Sequence, residues 1–300
     1  MRSNIKFLSL LFMVLFSASS VAGFLDQDFS KMTLKTVKAR NNIYMLEGQG
    51  GFAGGNVGVS AGEDGILIID DLLSPMSDKV SASISKLSAG KLRFILNTHW
   101  HGDHTGGNAN LSDHATIIAH TNVRKRLMTN QENSFGKTPA QPISAWPIVT
   151  FDKALTIHFN GEDIRFMHYP NGHTDGDGII YFNRSNVAHL GDHFFAGTFP
   201  YVDLATGGNA FGLTKNVGDI ITALPDDAIV IPGHGAISDM KGLKSYHEML
   251  VATTSFVKDL AAQGETLEEI QLEGLPNKWI EWGGGFVNEQ AWIALIFNSL

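Results

Sequence analysis

The chain has 300 residues, 43% of them hydrophobic and 17% charged, a balance that fits a globular protein with a sizeable core and excludes a disordered or membrane-spanning chain. Its 22 basic residues face 30 acidic ones, which argues against nucleic acid or an anionic membrane surface as a partner. Cysteine is absent; that excludes disulfides, thiolate ligands and a thiol nucleophile, and leaves His and carboxylates as the donors for any metal.

The first residues read as an address. Arg2 and Lys6 precede an almost unbroken apolar run from Phe7 to Phe16, and Ser20-Val21-Ala22 presents small residues where a signal peptidase reads. The run is only about half of the roughly 20 residues needed to span a bilayer. The expectation is therefore a signal peptide over residues 1–22, then one domain over 23–300, periplasmic or secreted and without a stable membrane anchor. Without Arg2 and Lys6, 20 basic residues face 30 acidic ones, a net charge near −10.

Further along, Asn42–Leu46, Asn56–Ser60 and Gly65–Ile69 are short, apolar and separated by Gly-rich turns, the pattern of a strand meander. Residues 48–58 are rich in Gly but lack the Lys-Ser/Thr ending of a phosphate loop. Asp78–Leu87 reads as a helix with Val80, Ile84 and Leu87 on one face, and Leu92–Leu96 as a strand that runs into Asn97-Thr98-His99. Thr116–Ala119 is a strand and Asn122–Met128 a helix, followed by a polar, Pro-containing loop over 131–147 that is long enough for a lid or pocket wall. Asn160-Gly161 between Ala154–Phe159 and Asp163–Tyr169 is a hairpin signal, and Ile179–Phe182 with Val187–Leu190 forms a second hairpin. Ala228–Ile231 leads into Pro-Gly-His-Gly, and Leu243–Ala262 and Asn288–Leu300 read as amphipathic helices. Two runs of strands, each followed by helices, suggest an α/β protein with two sheets face to face and helices outside.

The chemistry concentrates in Thr98-His99-Trp100-His101-Gly102-Asp103-His104-Thr105-Gly106-Gly107. Three imidazoles and a carboxylate so close together are costly to bury without partners, and a metal removes that cost. In an extended segment His99 and His101 point the same way, while a turn at Gly102 lets Asp103 and His104 reach a second ion. Each ion needs further donors, and His173 in Asn-Gly-His-Thr-Asp-Gly, Asp192 in Leu-Gly-Asp, and His234 in Pro-Gly-His-Gly lie in turns after predicted strands. Singly, each reads equally as a turn residue or a satisfied core group.

These motifs, in this order, resemble the metallo-β-lactamase superfamily: His-x-His-x-Asp-His, then a distant His, an Asp and a His, with Asn56–Asp70 resembling the family's opening strands and first acidic motif. The resemblance implies a four-layer αβ/βα sandwich with the metals at one rim. It implies a first zinc on His99, His101 and His173, a second on Asp103, His104 and His234, and Asp192 bridging the two. Iron or manganese is compatible with the same donors. Asp70 matches an acidic position that supports the histidine loop, and equally reads as a helix cap. The best-studied β-lactamase branch has Cys where this chain has Asp192, so the chain is more similar to glyoxalase II and the lactonases. That implies a zinc-dependent hydrolase acting on an ester, thioester, lactone or amide carbonyl of a small molecule through a metal-bridged hydroxide, with Asp103 orienting the nucleophile.

The alternatives are β-lactamase activity, an iron-dependent redox enzyme of the persulfide dioxygenase type, and a non-catalytic metal-binding protein. Phe52, Trp100, Trp146, Phe195 and Tyr201 are candidate pocket walls, and equally core residues. His193 is a candidate support for the ligands, whereas His114, His120, His158, His168, His189 and His247 read as surface or structural. Asp175 and Asp177 either steer cationic groups or cap turns. Mass spectrometry of the exported protein is expected to show a chain beginning near Gly23; an intact Met1 would remove the argument for export.

Overall fold

The computed structural model describes residues 27–134 and 136–300; the proposed leader, residues 1–22, lies outside them. A meander comes first, built from β1 (Thr33–Arg40), β2 (Ile43–Gln49), β3 (Val57–Gly62) and β4 (Gly65–Ile69). Helix α1 (Ser77–Ile84) leads to β5 (Leu92–Asn97), short helices α2 (Gly102–Thr105) and α3 (Asn108–Leu111), β6 (Thr116–His120) and α4 (Thr121–Leu127). Strands β7 (Gln131–Asn133) and β8 (Gly136–Thr138) pair as a small hairpin before β9 (Val149–Phe151). The second half holds β10 (Ala154–Phe159), β11 (Glu162–His168), β12 (Gly178–Phe182), β13 (Val187–His189), α5 (Ala210–Ala223), β14 (Ile229–Ile231), β15 (Ser238–Asp239), α6 (Met240–Ala262), α7 (Leu267–Glu273) and α8 (Glu289–Phe297).

One sheet has seven strands in the order β1-β2-β3-β4-β5-β6-β9, and the other six in the order β10-β11-β12-β13-β14-β15. Side-chain alternation sorts their residues into layers. Met45, Leu67, Ile69, Leu96 and Ile118 of the first sheet pack against Ile164, Phe166, Ile180, Phe182 and Ile231 of the second. Their neighbours Leu46, Ile66, Ile68, Ile95 and Ile117 point the other way and pack on Val80 and Ile84 of α1. Ile179, Tyr181, Ala188 and Val230 pack on Leu213 and Val217 of α5, Leu243 and Tyr246 of α6, and Trp292 of α8. The result is the four-layer αβ/βα sandwich. Each large apolar side chain in the middle layer contributes about 1.5–3 kcal/mol, which locks the two sheets together.

Strands β4, β5, β6 and β9 run parallel, as do β13 and β14. The carboxyl ends of β4 and β5 lead directly into Asp70 and Thr98-His99, and those of β13 and β14 lead through two-residue turns into Asp192 and His234. Both expected hairpins form; at the first, Asn160 and Gly161 take φ of 53° and 74°, the left-handed pair that a tight two-residue turn requires.

The sequence reading did not contain β9, β15 or α7, and three further segments differ from it. The 131–147 segment contains the β7–β8 hairpin, whose Gln-Glu-Asn and Gly-Lys-Thr strands have no apolar alternation to announce them. β1 was not expected either; it is an edge strand with Lys35, Lys38 and Arg40, the composition that keeps an exposed edge from pairing with another chain. Helix α5 starts at Asn209, whose side chain accepts the Phe211 and Gly212 N–H groups, and buries Ala210, Leu213, Val217 and Ile220. Among the described residues no helix is long and apolar enough to cross a membrane.

Candidate metal centre

All seven predicted ligand residues converge at the rim where the two sheets present their strand ends. His99, His101, His173 and Asp192 form one group of potential metal ligands, and Asp103, His104 and His234 a second. His99 and His101 project from an extended segment, and α2 turns Asp103 and His104 in the other direction. His173, Asp192 and His234 come from the turns after β11, β13 and β14.

Hydrogen bonding outside the site decides which nitrogen of each imidazole faces in. Thr98 Oγ1 donates to Asp70 Oδ2 (2.8 Å) and lies 3.0 Å from His99 Nδ1, so it accepts the Nδ1 hydrogen. His101 Nε2 donates to Asp203 Oδ2 (2.9 Å), His104 Nδ1 to Asp70 Oδ2 (2.8 Å), and His173 Nδ1 to the Tyr201 carbonyl (2.7 Å). The nitrogens left facing inward are therefore unprotonated acceptors in the neutral rings. Three of them crowd together: His101 Nδ1 is 3.0 Å from His99 Nε2 and 2.8 Å from His173 Nε2. Lone pairs at that separation repel unless a cation lies between them, and donors around a tetrahedral zinc with bonds of about 2.0–2.1 Å stand about 3.3 Å apart.

Asp192 faces both groups. Its Oδ2 is 3.3 Å from His173 Nε2 and 3.8 Å from His99 Nε2, while its Oδ1 is 3.2 Å from His104 Nε2 and 3.4 Å from His234 Nε2. Oδ1 is buried and has no hydrogen-bond donor. Asp103 Oδ2 closes the second group at 3.4 Å from both His104 Nε2 and His234 Nε2. This donor set, imidazole nitrogens and carboxylate oxygens without sulfur, suits zinc, iron or manganese.

The electrostatics of the two groups differ. Burial, reinforced by the neighbouring His104, pushes His99 well below the usual histidine range, and burial brings His173 down to about 4. In the second group burial also disfavours charge, but the facing Asp192 and Asp103 carboxylates outweigh it. They hold His104 well above its ordinary value and raise His234 to about 9. Burial pushes Asp103 and Asp192 up in turn, and the surrounding histidines overcome it and keep both well below the carboxylate range.

The backbone is shaped to let these groups meet. Asp70 takes φ of 61° and also accepts the Thr98 N–H at 2.7 Å, so it holds the histidine loop and does not cap a helix. Gly233 lies so close to Asp192 Oδ1 that any Cβ there would collide with it. Asn56 pins the same turn by donating its side-chain amide to the Pro232 and Gly235 carbonyls.

Among the predicted wall residues, Phe52 and Phe195 stack on His234 with centroids at 5.9 and 5.1 Å, and Tyr201 lies 5.8 Å from His173. Trp100 is buried, with its indole tilted against His101 at 4.7 Å, and Trp146 packs beside it in a satellite core. His193 faces the Asn216 amide and the edge of Tyr169 and makes no hydrogen bond to a ligand. Asp177 accepts from Thr174 within its own turn, and Asp175 pairs with Arg126 at 2.7 Å, so both are structural. Asp203 was missed. It lies 102 positions from the histidine it holds, and no local pattern announces such a pairing.

The metallo-β-lactamase superfamily model matches residues 50–234, and the chain belongs to that superfamily, whose members are typically hydrolases that bind divalent metals. It is 30% identical over 142 residues to an uncharacterised protein of Aquifex aeolicus, a match covering 47% of this chain and 66% of that one. It is also 30% identical over 122 residues to a hydroxyacylglutathione hydrolase of Synechococcus, covering 41% and 42%, and 26% identical over 186 residues to the lactamase-like protein nscB of Trichophyton rubrum, covering 60% and 48%. The chain thus spans about two fifths to two thirds of the length of these relatives. The fold is similar to a metallo-β-lactamase from Pontibacter korlensis (TM-score 0.60, 16% identity, 73% of this chain and 99% of that one). It is similar too to the sec-alkylsulfatase Pisa1 from Pseudomonas (0.63, 14%, 88% and 50%).

Replacing Asp70 with Ala leaves the Thr98 N–H and His104 Nδ1–H buried without an acceptor. The metal-free variant is expected to lose on the order of 3 kcal/mol of unfolding free energy, measured by urea denaturation in a chelating buffer. An unchanged midpoint would show that Asp70 does not hold the loop.

Proposed function

We propose that the protein is a hydrolase with two metal ions, zinc by preference, cleaving an ester, thioester, lactone or amide of a small molecule. His99, His101 and His173 would hold the first ion and Asp103, His104 and His234 the second, with Asp192 facing both groups. The observation that carries this is the crowding of three inward lone pairs at 2.8–3.0 Å beside a carboxylate whose two oxygens face different histidine groups. The name of the Synechococcus relative, a hydroxyacylglutathione hydrolase, supports acyl hydrolysis as the reaction class.

When bound, divalent ions supply a Lewis acid for the carbonyl oxygen and lower the pKa of water towards 7. The chain's own groups do the rest. Asp103, ionised at neutral pH and about one-fifth exposed, orients the attacking water by accepting a hydrogen bond from it. Phe52 and Phe195 beside His234 form an apolar wall that limits water at the reacting carbon. Residues 48–56 and 193–209 contain no Lys or Arg, whereas the third candidate wall segment, 131–147, carries Lys137.

Assay of a neutral ester, lactone and β-lactam panel is expected to give turnover with the neutral substrates that a chelator abolishes. Asp103→Ala is expected to lower kcat/KM by on the order of 10²–10⁴-fold with an unchanged circular dichroism spectrum. Full activity in Asp103→Ala, or turnover indifferent to chelation, would defeat the reading.

The pKa asymmetry sets the pH dependence of metal binding. Below about pH 9 His234 carries a proton in the metal-free protein, and His104 is likewise shifted towards its protonated form, so an entering ion competes with protons at this group. Apparent affinity at the second group therefore rises with pH, by up to about tenfold per unit for the His234 proton, whose contribution levels near pH 9. His173, at about 4, is already neutral above pH 5, and burial shifts His99 in the same direction, so neither competes strongly with an entering ion at neutral pH. Chelator competition from pH 6 to 9, with proton release followed by calorimetry, is expected to find the steep dependence in the second group. Equal slopes for both ions would contradict it.

A further inference from the structure

We propose that the β7–β8 hairpin positions the first histidine group from outside, through Asn133 and Ser134, and so sets the metal affinity of that group alone. The inference rests on the metal reading above. Asp203 Oδ2, which accepts His101 Nε2 at 2.9 Å, also accepts the Asn133 side-chain amide at 3.0 Å. Tyr201, whose carbonyl accepts His173 Nδ1 at 2.7 Å, shares a hydrogen bond of 2.7 Å with the Ser134 hydroxyl through its phenol. Two consecutive hairpin residues therefore each hold a residue that holds a ligand.

The intervening segment behaves as one piece. The Asp203 N–H donates to the His173 carbonyl at 2.9 Å, and the Gly208 N–H to the Asp203 carbonyl at 2.9 Å. Asp203 is fully buried and Tyr201 nearly so, whereas Ser134 is exposed and Asn133 half-buried. The hairpin is fixed at its base, where Gln131 exchanges hydrogen bonds with Arg126: the guanidinium donates to Gln131 Oε1 (3.1 Å), and the Gln131 amide donates to the Arg126 carbonyl (3.0 Å). Arg126 in turn pairs with Asp175. From that base the hairpin reaches over the 201–203 segment and fixes it at two points. His99 and His104 hang instead on Asp70, at the end of a central strand. A disturbance of the hairpin reaches His101 and His173 and leaves the second group in place.

Partners of metal-ligating residues typically change metal affinity 10–100-fold when removed. Because Asn133 and Ser134 act one residue further out, the full-length Asn133→Ala, Ser134→Ala double variant is expected to bind zinc about 10-fold more weakly at the first group and unchanged at the second. The first group is read separately in a His234→Ala background, which leaves only that group complete, by competition with a chromophoric chelator. The visible spectrum of the cobalt-substituted protein is expected to change with the loss of fixed His101 and His173 orientation. Ser134→Thr keeps the hydroxyl and is expected to retain the parent's affinity, as is Glu132→Ala on the same hairpin. Unchanged zinc affinity and cobalt spectrum in the double variant, or an equal loss in Glu132→Ala, would overturn the inference while leaving the metal reading intact. A parent protein that binds no zinc would overturn the metal reading itself.

Discussion

Nitrogen lone pairs that face one another in a buried site constrain everything around them. His99, His101 and His173 bring theirs within 2.8–3.0 Å, an arrangement that costs free energy unless a cation is shared between them. It persists because each ring is held by its other nitrogen, to Thr98, Asp203 and Tyr201 respectively. In the second group His104 is held in the same way by Asp70, and His234 instead by two stacked phenyl rings. The outer hydrogen bonds thus fix the orientation of each ring independently of the others.

Convergence of this kind needs two rigid edges, and the sandwich supplies them. The first sheet contributes His99 to His104 from one strand end, and the second contributes His173, Asp192 and His234 from three turns. Neither sheet holds a complete donor set. Register between the sheets is fixed by the apolar layer that includes Leu96, Phe166, Ile180 and Ile231, so the packing of the middle layer determines whether donors from the two edges meet. Metal binding and sheet packing are for that reason linked equilibria.

Much of this was legible in the sequence. The His-x-His-x-Asp-His segment announces itself because its residues are adjacent, and the strands around it because alternation and Gly turns are local signals. The later ligands had no such signal of their own; His173, Asp192 and His234 gained meaning only from their order and from lying after predicted strands. Asp203, Asn133 and Ser134 were illegible. Their roles arise from pairings between residues 67 to 102 positions apart, and a polar residue in a loop has the same local appearance whether it orients a ligand or faces solvent. The hairpin that carries Asn133 was hidden for a related reason, since its strands bury little and lack the alternation that burial imposes.

The two ligand groups consequently rest on supports of different stiffness. Asp70 is fully buried at the end of β4, a strand with neighbours on both sides, and Asn56 ties the His234 turn to the start of β3. The groups holding His101 and His173 lie in a segment without strand pairing, reached by a small two-stranded hairpin. Local opening free energy rises with the number of buried contacts and ladder hydrogen bonds, so His101 and His173 lie on the more easily deformed side, while His99 shares the Asp70 support. Burial also holds His99 and His173 of the first group low, whereas Asp192 and Asp103 hold His104 and His234 of the second group high. Rigidity and proton competition therefore act in opposite directions: the stiffly held His104 and His234 favour a proton, while the buried His99 and His173 disfavour one, and His101 and His173 depend on outer supports for their geometry.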